Sequence, residues 1–263
     1  MPKPRLQQLM SERQLWHARG AGVARRNTQH SVSSGFAALD QALHLGGWPV
    51  HGSTELLCSQ SGIGELELVL PSLAERSRQR PVLWLNPPHL PFAPALEQHN
   101  LSCHQHYVLR CTTPREQLWA AEELLRSGAF SSLLSWFDGR PLQDRQLRRL
   151  HLAAREGNCW HLHFRDIRCQ PQTSPAPLRL SLSASSQHLH VEVFKQSGGH
   201  AGQRLQLPRP ASLLWQQQPA SSWPVYRQAP RRRLNLVASS RPEGALQRLP
   251  LGLDTLPRPG TPH

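Results

Sequence analysis

The sequence predicts an α/β protein in which a mainly parallel sheet is flanked by helices and followed by an antiparallel hairpin. Five apolar runs of strand character lie in the middle of the chain, at 54–58, 82–86, 106–111, 131–137 and 160–164. The intervals between them are long enough for crossover helices, which parallel neighbours require. Two further runs, 178–183 and 189–194, flank a short polar connection and predict the hairpin.

Two helices between these strands carry clear sequence signals. The first begins at Thr113 as N-cap, with Pro114 in the first helical position and Glu116 completing a capping box. It ends before Gly128. The second runs from about residue 142 to residue 156, with leucines and alanines on one face and arginines on the other.

Charge is unevenly distributed over the 263 residues and suggests three segments. Residues 1–30 hold six basic side chains and one acidic one, and residues 204–263 hold nine arginines and two acidic side chains. The middle is nearly neutral, with 15 basic and 14 acidic residues. We therefore predict a basic N-terminal segment (1–30), a globular core (31–203) and a Pro- and Arg-rich, partly disordered tail (204–263) that binds a partner.

The C-terminal tail combines basic and aromatic side chains. This composition favours contact with nucleic-acid backbones and stacked bases, and solvated charge alone accounts for it equally well. The candidates for partner or DNA binding are Trp215, Trp223, Tyr226, Arg227, Arg231, Arg232 and Arg233.

Several classes of function are disfavoured. No apolar run reaches the roughly 18 residues of a membrane span, so we expect a cytoplasmic protein without membrane contact. The five cysteines form no CxxC pair, and the pairs His161 with His163 and His104 with His106 lack further ligands at matching distances. Ser61 lies outside any Gly-x-Ser-x-Gly pattern. We expect no metal, no cofactor and no hydrolase chemistry.

The loop after the first predicted strand, 54–58, has the form of a phosphate-binding loop. Residues 34–68 resemble the opening of the RecA recombinase ATPase core, with Gly-x-x-x-Leu-Asp-x-x-Leu, Gly-Gly-x-Pro-x-Gly, a Glu-leading strand and a glycine loop in the same order. The resemblance implies a RecA-like fold. The loop consists of Ser61, Gly62, Ile63, Gly64 and Glu65.

Three positions depart from a working ATPase. Glu65 stands where a lysine would neutralise phosphate charge. The resemblance sets Pro88 where a catalytic glutamate would be, and Ser135, or else its neighbour Trp136, where a metal-linked aspartate would be. The sequence thus predicts a degenerate P-loop without ATPase activity. In this interpretation Glu65 is a surface or helix-start carboxylate, and its replacement by lysine costs about 0.3–1 kcal/mol. The competing hypothesis is a DNA-dependent ATPase in which Glu65 or Asp138 reaches Mg²⁺, with backbone N–H groups at a helix N-terminus.

A tighter resemblance covers residues 33–200. The segments GWP, GIGELEL, PPHLPFAPAL, LRRLHLAAREG, SPAPLRL and VEVFK resemble the ImuA family. This resemblance implies a non-catalytic accessory protein of SOS-induced, error-prone translesion DNA synthesis. The implied partners are an ImuB-type inactive Y-family polymerase and, through it, the sliding clamp and a DnaE-type polymerase, with RecA as a further candidate.

The cell-division inhibitor SulA is similar over LRSGAFSSLLSWF and LRRLHLAAREG and is shorter. It implies inhibition of the tubulin-like FtsZ as the alternative function, and we expect the ImuA type because residues 34–64 are retained. The roles of two further segments are left undecided by the sequence. PPHLPFAP is either a peptide-docking surface or the start of a helix with Phe92 in the core, and Arg165 and Arg168 are secondary candidates for DNA contact.

Overall fold

The computed structural model describes residues 31–137 and 141–208, together with the backbone of a strand at 245–248. In these ranges the helices are α1 (Ala37–Ala42), α2 (Leu70–Ser77), α3 (Ala93–Gln98), α4 (Pro114–Arg126) and α5 (Asp144–Glu156). The strands are β1 (Ser31–Val32), β2 (Trp48–Pro49), β3 (Gly52–Cys58), β4 (Val82–Leu85), β5 (His106–Arg110), β6 (Ser132–Trp136), β7 (Trp160–Asp166), β8 (Leu178–Ala184), β9 (His188–Gln196), β10 (Gln203–Pro208) and β11 (Ala245–Arg248). No helix of the described part is long and apolar enough to cross a membrane.

One large sheet organises the fold, and its strands lie in the order β10-β9-β8-β3-β7-β6-β4-β5-β11. Pairing is parallel from β8 through β3, β7, β6 and β4 to β5, and it is antiparallel at both ends of the sheet. The predicted α/β class, the parallel centre and the β8–β9 hairpin are therefore confirmed. Strand β3 separates two parts of the sheet. Strands β4 to β7, which follow it in sequence, lie on one side of it, and β8 lies on the other.

The sheet has a hydrophobic layer on each face. Successive residues of β4 alternate between the layers, since Trp84 packs into one apolar cluster and Leu83 and Leu85 into the other. Residues of α1, α2 and α3 belong to the first cluster, and residues of α4 and α5 belong to the second. The molecule is therefore a three-layer α/β/α arrangement.

The two helices predicted from capping signals are present, with one difference in detail. The Thr113 hydroxyl accepts the Glu116 N–H at 3.2 Å, as the capping box requires. The Glu116 carboxylate instead accepts the N–H of Thr112 at 3.0 Å, one residue earlier than predicted. At the start of α5 the Gln146 side chain accepts the Gln143 N–H at 2.8 Å, which is one half of a capping box.

The sheet extends beyond the segment that the sequence assigned to the core. Strand β10 pairs with β9 along its whole length and ends at Pro208, whereas the sequence placed the core boundary at residue 203. Strand β11 pairs with β5 from within the C-terminal tail. Strand β10 alternates only through Leu205 and Leu207 and ends in a proline, and β11 has four residues, so both runs are too short to predict a strand from the pattern.

Candidate functional site

The glycine loop follows β3 directly and closes on itself through a carboxylate. Gly62 and Gly64 have positive φ angles of 84° and 103°, so the chain turns sharply between them. The Glu65 side chain folds back over this turn. Its Oε1 accepts the Gly62 N–H at 2.9 Å, and its Oε2 accepts the Ile63 N–H at 2.9 Å. The loop therefore binds its own anion.

Glu65 is not a surface or helix-start residue as the sequence suggested. It is only 4% exposed, and residues 65–69 form turns before α2 begins at Leu70. Helix-like hydrogen bonds from the Leu68 N–H to the Gly64 carbonyl and from the Leu70 N–H to the Leu66 carbonyl lead from the loop into α2, so the regular helix begins five residues after Glu65. The sequence could not reveal this, because a Glu after Gly-x-Gly reads equally well as the first residue of a helix.

The two other replaced positions, Pro88 and Ser135, differ in burial. Pro88 is exposed in the connection between β4 and α3, while Ser135 is fully buried on β6. The Ser135 hydroxyl lies 2.8 Å from Nε2 of His161, so it takes part in a core hydrogen bond. Asp138, the proposed substitute metal ligand, is outside the described residues.

A buried polar layer crosses the sheet beneath α5. His161 on β7 bridges two strands, since its Nδ1 lies 3.0 Å from the Ser53 hydroxyl of β3 and its Nε2 contacts Ser135 of β6. His163 stacks on His161 with ring centroids 5.6 Å apart. Burial, reinforced by neighbouring positive charge, holds the pKa of both histidines well below the ordinary value.

These histidines do not form a metal site in the arrangement seen here. Both ring nitrogens of His161 are engaged by serines, and the described residues contain no group of three His, Cys, Asp or Glu side chains that could hold a metal ion. The other pair is split, because His104 is exposed before β5 and His106 is buried on it. Burial lowers the pKa of His106 to about 4, and its Nδ1 accepts the Trp84 indole N–H at 2.9 Å.

A second part of the polar layer is an ion cluster around Glu55. Arg165 of β7 and Arg179 of β8 each place a guanidinium nitrogen 2.8 Å from Oε2 of Glu55 in β3, and all three side chains are buried. Arg165 is therefore unavailable for DNA contact. Arg168 is exposed and paired with Asp166 at 2.9 Å. The alternation of His161, His163 and Arg165 in one strand was the sequence signal for this layer.

The connection from β4 to α3 exposes an apolar side chain. Leu90 is 57% exposed, the highest value among the large hydrophobic residues of the described part. Phe92 is half-buried at the N-cap of α3 and does not enter the core clusters. A proline lies in the first turn of α3, as one of the two interpretations held, but the same interpretation was wrong in placing Phe92 in the core. The peptide-docking interpretation stays a prediction.

The aromatic and basic candidates of the C-terminal tail lie outside the described residues. This holds for Trp215, Trp223, Tyr226, Arg227, Arg231, Arg232 and Arg233. The partner-binding role of this tail stays a prediction.

The fold and the loop together define a class of protein. It is an α/β/α protein in which the Glu65 carboxylate occupies the glycine turn that follows β3. The family described as "Cell division inhibitor SulA" matches residues 54–161. SulA of Yersinia pestis (strain Pestoides F) is 31% identical over 115 residues, covering 43% of this chain and 67% of the relative. SulA of Yersinia pseudotuberculosis serotype O:1b (strain IP 31758) gives the same values.

A solved structure is also similar. The crystal structure of SulA from Pseudomonas aeruginosa has 25% sequence identity and a TM-score of 0.36, covering 43% of this chain and 96% of that one. By its relatedness to the Yersinia proteins over two thirds of their length, the chain belongs to the SulA family. This is the family that the sequence analysis gave as the alternative. The match begins at residue 54 and so includes the glycine loop, which is more than the two segments first recognised.

Proposed function

We propose that this protein is a cell-division inhibitor of the SulA type, produced in the SOS response to DNA damage, which acts by binding FtsZ. The observation that carries the proposal is the relationship of residues 54–161 to cell division inhibitors. The matched segment contains β3 through most of the parallel sheet, together with α2 to α5. It also contains the exposed apolar connection around Leu90.

Inhibition is proposed to proceed by binding without catalysis. The geometry of the glycine loop supports this, because the N–H groups of Gly62 and Ile63 are taken by the Glu65 carboxylate. A nucleotide phosphate at the same place would meet a buried negative charge and no free donor from these two residues. Ser135, at the position of a metal-linked carboxylate, supplies only a hydroxyl that already contacts His161.

The connection 86–92 is the proposed contact surface for FtsZ. Leu90 stands out into solvent, and an exposed leucine gains free energy when a partner covers it. The connection is anchored on both sides. Asn86 exchanges two hydrogen bonds with the backbone of Cys111, and Phe92 begins α3. An apolar side chain on an anchored connection loses little conformational entropy on binding.

A matched pair of variants tests this surface. Leu90→Asp should abolish filamentation of cells that overproduce the protein and should weaken FtsZ binding at least tenfold, because it places a charge in an apolar contact. Leu152→Asp is the control, since Leu152 is 53% exposed and lies on α5, on the opposite face of the sheet. Equal binding by both variants, or equal loss in both, would place the contact elsewhere. Overproduction of the native chain without filamentation would refute the proposed function.

A second candidate function is favoured by the structured regions outside the family match. Strands β8, β9 and β10 lie beyond residues 54–161 and belong to the large sheet, and in the segment 31–53 strands β1 and β2 pair in a separate two-stranded sheet. We propose on this basis that the core is RecA-like and that 61–65 is a degenerate P-loop. The second candidate is accordingly an ImuA-type accessory protein of translesion synthesis that binds an ImuB-type polymerase homologue.

Co-purification from DNA-damaged cells separates the two candidates. A tagged full-length chain should retain FtsZ if it is a division inhibitor. Retention of an inactive Y-family polymerase with a DnaE-type polymerase, and without FtsZ, would establish the second candidate in its place. Either result leaves the proposed RecA-like core and degenerate loop to be tested by nucleotide binding.

A further inference from the structure

The glycine loop has the properties of an anion receptor whose ligand belongs to the chain. Two successive N–H groups, from Gly62 and Ile63, point at one carboxylate, and both of its oxygens accept from them. Adjacent N–H groups in a turn with alternating handedness form a concavity that attracts anions. Among the described residues Glu65 forms no ion pair. Its carboxylate is held by hydrogen bonds from these two N–H groups.

We propose that Glu65 is a built-in anion that occupies an oxyanion site, and that the site accepts a free carboxylate or phosphate once the side chain is removed. The atoms of Glu65 beyond Cβ have the shape of an acetate ion. Phosphate presents the same pair of oxygens to two donors. The ligand class of the empty site is therefore a small oxyanion.

The buried charge gives the inference a second support. Glu65 is 4% exposed, so its carboxylate is almost fully removed from solvent. A buried carboxylate is costly unless hydrogen bonds compensate it, and here two backbone donors do so. The Glu65 carboxylate thereby holds the loop in the conformation that an external anion would otherwise stabilise. The surface formed by the loop should then be insensitive to nucleotide, whichever partner the protein binds.

Chemical rescue of Glu65→Ala tests the proposal. The full-length variant should unfold at a midpoint lower than the native chain by roughly 4 °C or more, because two N–H groups lose their partner. Acetate and inorganic phosphate should each raise this midpoint in a saturable manner, as expected for a ligand that binds the folded state. Sodium chloride at the same ionic strength separates binding from screening.

Glu67→Ala is the matched control, since Glu67 is half-buried in the same turn. It and the native chain should respond alike to acetate, phosphate and chloride. An equal response of Glu65→Ala to acetate and chloride would overturn the proposal. Rescue by acetate without rescue by phosphate would overturn the claim that the site accepts phosphate.

A second variant keeps the test decisive if Glu65→Ala does not fold. Glu65→Gln preserves size and one acceptor oxygen but removes the charge and places an amide group near an N–H donor. We expect a lower midpoint than that of the native chain. A Glu65→Gln protein as stable as the native chain would show that the loop needs no anion.

Discussion

Glu65 determines whether the glycine loop is a phosphate site or a self-contained turn. Its buried carboxylate accepts hydrogen bonds from two backbone N–H groups. Glu65→Lys therefore replaces this acceptor by a donor and buries a positive charge beside the two N–H groups. We expect the free energy of unfolding to fall by about 3 kcal/mol or more, well above the small dipole effect that the sequence suggested. Urea titration of the native chain and the variant measures the difference.

The same substitution tests the absence of catalysis. Although it places a lysine where the resemblance to the RecA core implies one, Pro88 and Ser135 are unchanged, so we expect no ATP turnover by Glu65→Lys and no saturable ATP binding by the native chain at millimolar nucleotide. Calorimetry and phosphate release provide the two measurements. Magnesium-dependent ATP binding by the native chain would contradict the degenerate loop.

The buried histidines should make the protein sensitive to mild acid. His161 and His163 stay neutral in the folded state because burial lowers their pKa, whereas in the unfolded chain each takes up a proton near its ordinary pKa of about 6.5. The unfolded state therefore binds more protons below that pH. Stability is fully present above about pH 7 and should be lost as the pH falls, by about 1.4 kcal/mol per pH unit for each such histidine.

Urea unfolding from neutral to mildly acidic pH measures this loss. Glu55, Arg165 and His151 interact electrostatically with these rings, and all three are the same in the native chain and in the variant that follows. His163→Phe removes one titrating group while keeping a ring against His161, so the slope should decrease by about one proton. An unchanged slope in that variant would show that His163 is charged or exposed in the folded protein.

At the level of elements, the Glu55 cluster ties three strands together. Glu55 of β3 holds Arg165 of β7 and Arg179 of β8, and it also accepts the Ser174 hydroxyl from the preceding connection. Glu55→Gln would leave two buried guanidinium groups without their counter-charge. We expect a loss of about 3–5 kcal/mol in the free energy of unfolding.

The control is an exposed ion pair on the same sheet. Glu192 of β9 pairs with the exposed Arg204 at 3.2 Å, and Glu192→Gln should cost about 1 kcal/mol or less because solvent screens the pair. Both variants are compared by urea unfolding at neutral pH. A similar small loss in Glu55→Gln would mean that the cluster is hydrated and does not hold the strands.

The sequence predicted strands better than it predicted what lies between and beside them. Strands β3 to β9 were recognised because each is an apolar or alternating run bounded by turn residues, and α4 and α5 because their caps are local signals. The glycine loop was located correctly, but the burial of Glu65 depends on a side chain folding back over three residues. The ion cluster depends on residues 55, 165 and 179 meeting across strands, which no local pattern encodes.

For the whole molecule, the sheet is larger than the segment related to SulA. The match ends at His161, inside β7, so a fragment of residues 54–161 lacks β8 and would leave Glu55 without both arginines. We expect this fragment to be unfolded and residues 31–208 to unfold cooperatively, as judged by circular dichroism and urea titration. A cooperatively folded 54–161 fragment would show that the outer strands are an addition and not part of the core.

Function at this scale was foreseen only as an alternative. Retention of residues 34–64 favoured the ImuA type in the sequence, whereas the relationship found by comparison is to SulA. A scaffold shared by two functions does not distinguish them, because partner choice depends on exposed side chains such as Leu90. Those side chains leave no periodic signal in a single sequence.

Polymerisation of purified FtsZ in the presence of the purified full-length protein tests the central claim most directly. Light scattering after addition of GTP should decrease in proportion to the native chain added, and Leu90→Asp should leave polymerisation unchanged while Leu152→Asp inhibits like the native chain. Full polymerisation in excess of the native chain would contradict the account.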